Sequence, residues 1–116
     1  MSLYRWNDIP EERLTDKLTR RIISSKNVML VRFSLKKGCT VASHRHESEQ
    51  MTSVLKGLLE LTFPDKKVRV AEGEVLLIHP SLEHSAVALE DTMALDVFSP
   101  IREDWLTGQD HYLRKQ

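Results

Sequence analysis

Apolar and polar positions alternate along most of this chain. Val31-Arg32-Phe33-Ser34-Leu35 alternates strictly, as a half-buried strand requires, and Lys36-Lys37-Gly38 reads as the turn that ends it. Leu59, Leu61 and Phe63 alternate with Glu60 and Thr62, with Pro64-Asp65 as a turn signal, and Val68 and Val70 then alternate with Lys67 and Arg69, predicting a hairpin. Val75-Leu76-Leu77-Ile78, bounded by Gly73 and Pro80, reads as a short buried strand, and Met93, Leu95 and Val97 alternate with Ala94, Asp96 and Phe98. Short strands at this spacing predict an all-β sandwich or barrel. Residues 1–24 admit two readings. Leu14, Leu18 and Ile22 recur at helical spacing after Pro10, whereas the β-branched Thr15, Thr19, Ile22 and Ile23 suit a strand. After Pro100 one helical turn is expected, with Trp105 and Leu106 packing back on the body.

Length and composition narrow the picture. No repeat, low-complexity tract or linker divides the 116 residues, so one domain over 1–116 is expected, with its patterned core over about 28–100. Seventeen basic against seventeen acidic residues leave no net charge, which speaks against a nucleic-acid partner. No strictly apolar run is longer than that of Val75 to Ile78, far short of the roughly 20 residues of a membrane helix. The opening residues contain no apolar leader, so a cytoplasmic protein without a membrane partner is expected. Cys39 is the sole cysteine, which removes an internal disulfide and any cysteine-based zinc site, and it reads as a small buried or turn residue.

The candidate chemistry lies in the histidines. His44 and His46 are two apart, so on a strand both imidazoles project from one face and supply half of a first-row metal site. A solvated pair is the plainer reading of two such residues alone. The surroundings add to the signal. Gly38, five residues, His44-x-His46, three residues, Gln50, six residues and Gly57 are followed by Gly73, five residues, His79-Pro80-Ser81-Leu82-Glu83 and His84. This resembles the two motifs of the cupin superfamily, G-x5-H-x-H-x3,4-E-x6-G and G-x5-P-x-G-x2-H. The resemblance implies a jelly-roll β-barrel with His44, His46 and His84 as ligands of one divalent transition metal ion (nickel, zinc, iron or manganese). Gln50 falls on the fourth ligand, a glutamate in the general motif. Glu49 is the rival. A strand running straight on from His46 favours Gln50 by parity, a turn would void that argument, and the motif spacing selects Gln50 regardless. His79 stands where the motif has proline, and Ser81 where it has glycine. Three imidazoles and an amide leave the ion its full charge of +2, which favours an anionic ligand. The alternative is a barrel that has lost its metal and binds by shape. His79 is expected at a strand end, and His111 in solvent.

Asp96 and Phe98 share a strand face opposite Met93, Leu95 and Val97, so Asp96 is either exposed or lines a polar cavity, where it would act as an acid or base. Arg102, beyond Pro100, is a candidate carboxylate clamp through its planar fork. Here the resemblance narrows. His44 to Thr52, His84-Ser85-Ala86, Ala88 to Thr92, Asp96 to Pro100 with Arg102 to Trp105, and the opening Trp6-Asn7-Asp8-Ile9-Pro10 look like the small cupins typified by the pectin degradation protein KdgF. In that family Gln is the accepted fourth ligand. The resemblance implies ring opening of 4,5-unsaturated monouronates to linear keto forms, a step in pectin or alginate breakdown. Asp96 and Arg102 would be its catalytic residues, Phe98 and Arg102 would contact the sugar acid, and a homodimer would form through the outer sheet. A metal-dependent dioxygenase and a non-catalytic sugar-acid binding protein are the alternatives.

Overall fold

The computed structural model describes residues 1–114. Its strands are β1 (Glu12–Thr15), β2 (Leu18–Ser24), β3 (Met29–Leu35), β4 (Thr40–His44), β5 (Glu49–Lys56), β6 (Leu58–Thr62), β7 (Lys67–Ala71), β8 (Val75–Ile78), β9 (His84–Ala88) and β10 (Thr92–Ser99). They form two antiparallel sheets, β1-β2-β3-β10-β5-β8 and β4-β9-β6-β7, packed over a common core as a jelly roll. One short helix, α1 (Glu103–Leu106), and 3₁₀ turns at Trp6–Asp8 and His111–Arg114 complete the described residues.

The opening segment is strand rather than helix. Leu18 and Ile22 are four apart, an even number, so they share one face of β2 as readily as one face of a helix, and the β-branched residues around them decide for the strand. Across the larger sheet, the inward row Ser24–Met29–Phe98–Gln50–Ile78 lies beside Ile22–Val31–Asp96–Thr52–Leu76. Register therefore seats Phe98 directly across from Gln50, and Asp96 across from Thr52.

Of the two readings of Asp96, the cavity one holds: Asp96 and Phe98 belong to the buried face of β10, and the apolar set Met93, Leu95 and Val97 faces outward. Two expectations need correction. β8 is not a buried strand: it is a sheet edge, with Val75 61% and Leu77 42% exposed. Trp105 packs into the core as expected, but Leu106 is exposed. On the outer face, Ile23, Leu30, Val97, Met51 and Leu77 stand side by side across five strands, an apolar row in which Met51 and Leu77 are exposed and the other three are half-buried.

Charge alone did not keep every ionic residue on the surface. Arg20 and Asp110 are both fully buried, their side chains paired at 2.5 Å, with Glu12 bonded to Arg20, and Arg114 bonded to Asp110. The pair ties the carboxy-terminal segment to β2 and fixes its placement, although a buried pair of this kind adds little net stability after desolvation. Gly57 and Gly73 separate two causes of glycine dependence. Both are left-handed, but a Cβ on Gly57 would lie 2.4 Å from the Asp91 carbonyl oxygen, whereas one on Gly73 would meet nothing within 4 Å. Gly73→Ala should therefore cost about 1–2 kcal/mol from backbone strain alone. Gly57→Ala should cost more than about 3 kcal/mol, because backbone must also move. Urea unfolding of the two variants measures the difference, and equal costs would contradict the steric reading.

Candidate metal centre

His44 is the last residue of β4 and sits directly across from His84 at the start of β9. The chain then bends through residues 45–48 before β5 begins, so His46 lies in a loop and not on the same strand as His44. The expected route to convergence, two side chains on one strand face, is not the one used. The bend brings them together instead: ring centroids lie 5.6 Å apart for His44–His46, 4.4 Å for His44–His84 and 5.2 Å for His46–His84. One ring nitrogen from each falls within 4.8 Å of those of the other two. The Ser81 amide, which donates to the His46 carbonyl at 2.7 Å, links the two histidine-bearing loops. Ser81 has φ +63°, the left-handed region, which accounts for a glycine in the general motif at this position.

The backbone sets the tautomers. Nδ1 of His44 donates to the Ala42 carbonyl at 2.9 Å, that of His46 to Ser48 at 2.9 Å, and that of His84 to Leu82 at 2.8 Å. A carbonyl oxygen only accepts, so each Nδ1 carries the proton and each Nε2 is left with a bare lone pair. Nε2 of His84 is buried without a partner. Nε2 of His46 lies 2.9 Å from Gln50 Oε1, while the Gln50 amide nitrogen donates to Thr52 Oγ1 at 2.9 Å. Two acceptors thus face each other with no proton between them, a contact that a cation would relieve. These residues fit a divalent metal ion with three imidazole nitrogens and one amide oxygen. Glu49 is exposed and Gln50 buried, because the alternation of β5 restarts after the bend; the bend voids the parity argument, and the spacing still selects Gln50.

Burial lowers the pKa of His44 to about 4 and that of His46 to about 4, with the neighbouring imidazoles and Arg102 adding to the effect, and burial lowers His84 as well. All three are therefore neutral at pH 7 and ready to ligate without first losing a proton. Asp96 shifts the other way. Burial raises it to about 7, against the opposing pull of Thr52 and Arg102, and its Oδ1 has no partner. Its Oδ2 lies 3.4 Å from the Gln50 amide nitrogen, so the carboxyl stands one residue behind the ligand set.

Arg102 reaches the same place, but not as a free fork. Its Nε and Nη2 donate to the two Asp104 carboxylate oxygens at 3.1 and 2.8 Å, and Nη2 also donates to the Tyr112 hydroxyl at 2.7 Å. Only Nη1 is unpartnered, so the bidentate clamp expected of this residue is already closed on the chain's own aspartate. Phe98 is wholly buried against His46, Trp105 and Arg102, and it braces the site from behind. Tyr112, which the residue pattern did not single out, lies over His44 with ring centroids 4.5 Å apart. Nothing local marks it: a tyrosine ten residues beyond Arg102 in a charged tail carries no spacing signal. His79 and His111 are exposed, as expected, and Cys39 is buried.

Two spaces meet at the centre. An inner cavity of about 60 Å³ is lined by His44, His84, Gln50 and Asp96 on one side and by apolar residues, including Trp105, on the other. An open polar hollow of about 470 Å³ shares His46 and Arg102 and carries Lys26 and Arg45 with Glu47, Glu103 and Asp104.

The family described as Cupin domain matches residues 31–99. The structure of KdgF from a Halomonas species is similar to this one, with 27% identity, 90% of this chain and 99% of that chain covered and a TM-score of 0.82. An RmlC-like cupin from Shewanella frigidimarina shares the fold at 23% identity and a TM-score of 0.83, over 90% of this chain and 96% of that one. The fold also recurs in Bacillus subtilis oxalate decarboxylase, a protein with Mn(II) centres, at 24% identity and a TM-score of 0.78, over 87% of this chain and 30% of that one. No curated protein sequence matches the chain.

The shifted groups give the metal-free protein a signed pH dependence. As pH falls from 6.5 towards 4, the unfolded chain takes up protons on the three imidazoles that the folded chain refuses, so acid removes stability. Asp96 opposes this, since the fold keeps its proton up to about pH 7 while the unfolded carboxyl gives it up near 3.8, a contribution lost as pH rises. Three groups outweigh one. The thermal midpoint of chelator-treated protein should fall between pH 6.5 and 4.5, and fall further in Asp96→Asn. A flat or rising midpoint would contradict these assignments.

Proposed function

The chain belongs to the cupin domain family, and on that premise we propose that it opens the ring of small unsaturated uronic acids, converting a 4,5-unsaturated monouronate into its linear keto form. One observation carries this reading: a buried carboxyl with a free oxygen, Asp96, and an arginine, Arg102, converge on a ligand set that is neutral throughout. A divalent ion held by His44, His46, His84 and Gln50 would supply Lewis-acid stabilisation of negative charge on oxygen and, with no charge removed by its ligands, would favour an anionic substrate.

The residues divide the remaining work. The inner cavity of about 60 Å³ has room for water beside His44, Gln50, His84 and Asp96. The polar hollow of about 470 Å³ is the larger of the two spaces and the one assigned to the sugar. Its formal charges cancel, Lys26, Arg45 and Arg102 against Glu47, Glu103 and Asp104, so the substrate carboxylate is held by individual donors and not by a net field. The substrate is a cyclic enol ether with a hydroxyl on its anomeric carbon. Asp96 as carboxylate takes the proton of that hydroxyl through water in the inner cavity, the C1–O5 bond breaks to give the aldehyde, and the ring oxygen leaves as an enolate. Asp96 as acid then returns the proton to C4, giving the 5-keto acid. No atom is gained or lost and nothing is oxidised. Arg102 holds the carboxylate through Nη1, and Phe98 keeps His46 and Arg102 in place.

Pairing of two copies belongs to the same reading. The apolar row Ile23–Leu30–Val97–Met51–Leu77 on the larger sheet is the surface through which a homodimer would form.

Protein loaded with metal should consume the enol-ether absorbance of 4,5-unsaturated galacturonate, and chelator-treated protein should not. Asp96→Asn should lower turnover by roughly 10²–10⁴-fold with its metal retained. No acceleration over the spontaneous reaction by metal-loaded protein would overturn the reading. In light scattering the protein should have twice the chain mass, and Met51→Lys should halve it with circular dichroism unchanged. A monomeric parent would contradict the pairing.

A further inference from the structure

Counting donors around Arg102 leaves two with nowhere to go. Of its five N–H groups, one on Nε and one on Nη2 are bonded to Asp104, and the second on Nη2 is bonded to Tyr112. The two on Nη1 are buried without an acceptor, on a side chain only 4% exposed. The Tyr112 oxygen in turn accepts from Arg102 Nη2 at 2.7 Å and from Trp105 Nε1 at 2.9 Å. Arginine and indole nitrogens can only donate, so both hydrogens point at the phenol oxygen and its own proton must point elsewhere. Among the described residues no acceptor meets it. Buried donors are rarely left in this state, and two of them side by side call for one acceptor group with two oxygens.

We propose that Tyr112 and Arg102 form one carboxylate-binding unit beside the metal ligands, with Nη1 of Arg102 taking one oxygen and the Tyr112 hydroxyl donating to the other. The ring of Tyr112 lies over His44, and Arg102 also stands 4.4 Å from the Trp105 ring, so both donors are held by packing before any ligand arrives. Preorganisation of this kind lowers the ordering cost of binding. Asp104 has a defined part as well: by occupying Nε and Nη2 it turns Arg102 so that Nη1 remains for the ligand. The inference rests on the anionic-substrate reading above and makes Tyr112, at the far end of the chain from the histidine motifs, a specificity-determining residue of the site.

The chain contains two tyrosines, Tyr4 and Tyr112, so in a Tyr4→Phe background 3-fluorotyrosine labels Tyr112 alone. In zinc-loaded protein, acetate should shift this fluorine resonance saturably, and D-galacturonate should do the same. By calorimetry, Tyr112→Phe, which keeps the ring over His44 but deprives Trp105 Nε1 and Arg102 Nη2 of their acceptor, should lower the thermal midpoint and also weaken both carboxylates by about tenfold with zinc content unchanged. A merely structural role would lower the midpoint and leave carboxylate affinity alone. An unmoved resonance with acetate, or a Tyr112→Phe affinity within about twofold of the parent, would overturn the proposal. If acetate binding depends on Tyr112 while unsaturated galacturonate is not turned over, Tyr112 keeps its role and the uronate reading falls.

Discussion

Three hydrogen bonds from imidazole Nδ1 to backbone carbonyls organise everything else at the centre of this protein. Each is accepted by a carbonyl two residues away, at Ala42, Ser48 and Leu82, so local chain path and not distant packing decides which ring nitrogen is bare. The path itself is constrained. His46 reaches the other two rings only because the chain bends after β4, and the Ser81 amide holds that bend by bonding the His46 carbonyl. Burial then keeps the rings neutral. The outcome is a pocket with bare lone pairs and no proton to share among them, an arrangement that is costly in itself and becomes favourable when a cation occupies it.

The interior around this pocket is graded. Gln50 turns its oxygen to His46 and bonds Thr52 and Asp96 through its nitrogen, so the ligand set and the buried carboxyl meet at one side chain. Register makes them meet: Gln50 and Thr52 alternate inward opposite Phe98 and Asp96. The carboxy-terminal segment closes the end of the barrel, placing Trp105 in the core and Tyr112 on His44, and it is located there by the buried Arg20–Asp110 pair. That pair acts mainly as a positional device, since the ionic attraction gained in the interior is largely offset by the hydration both groups give up.

Much of the fold was legible because alternation with period two survives translation into strands almost unchanged, as in Val31 to Leu35 and Leu59 to Phe63. The glycine and histidine spacings likewise pointed to the three rings and to Gln50. What alternation could not supply was direction. Alternation separates Asp96 and Phe98 from Met93, Leu95 and Val97 without saying which set faces in; Asp96 and Phe98 do, because the cavity is lined by polar groups and the outer face is apolar. Val75 misled as an apolar residue on an exposed edge. Pairings across long separations were invisible as well. Arg20 and Asp110 are ninety residues apart, and neither they nor the hold of Asp104 and Tyr112 on Arg102 leaves a periodic trace.

The central claim is that the folded chain presents three neutral imidazoles, each with its proton on Nδ1 and a bare Nε2 turned to a common point, before any metal binds. A two-dimensional ¹H–¹⁵N correlation of the imidazole nitrogens in metal-free protein at neutral pH tests this directly. The account predicts the neutral Nδ1–H tautomer for His44, His46 and His84, which is the minor form of free histidine in water. Imidazolium signals or the Nε2–H tautomer at these three residues would contradict it.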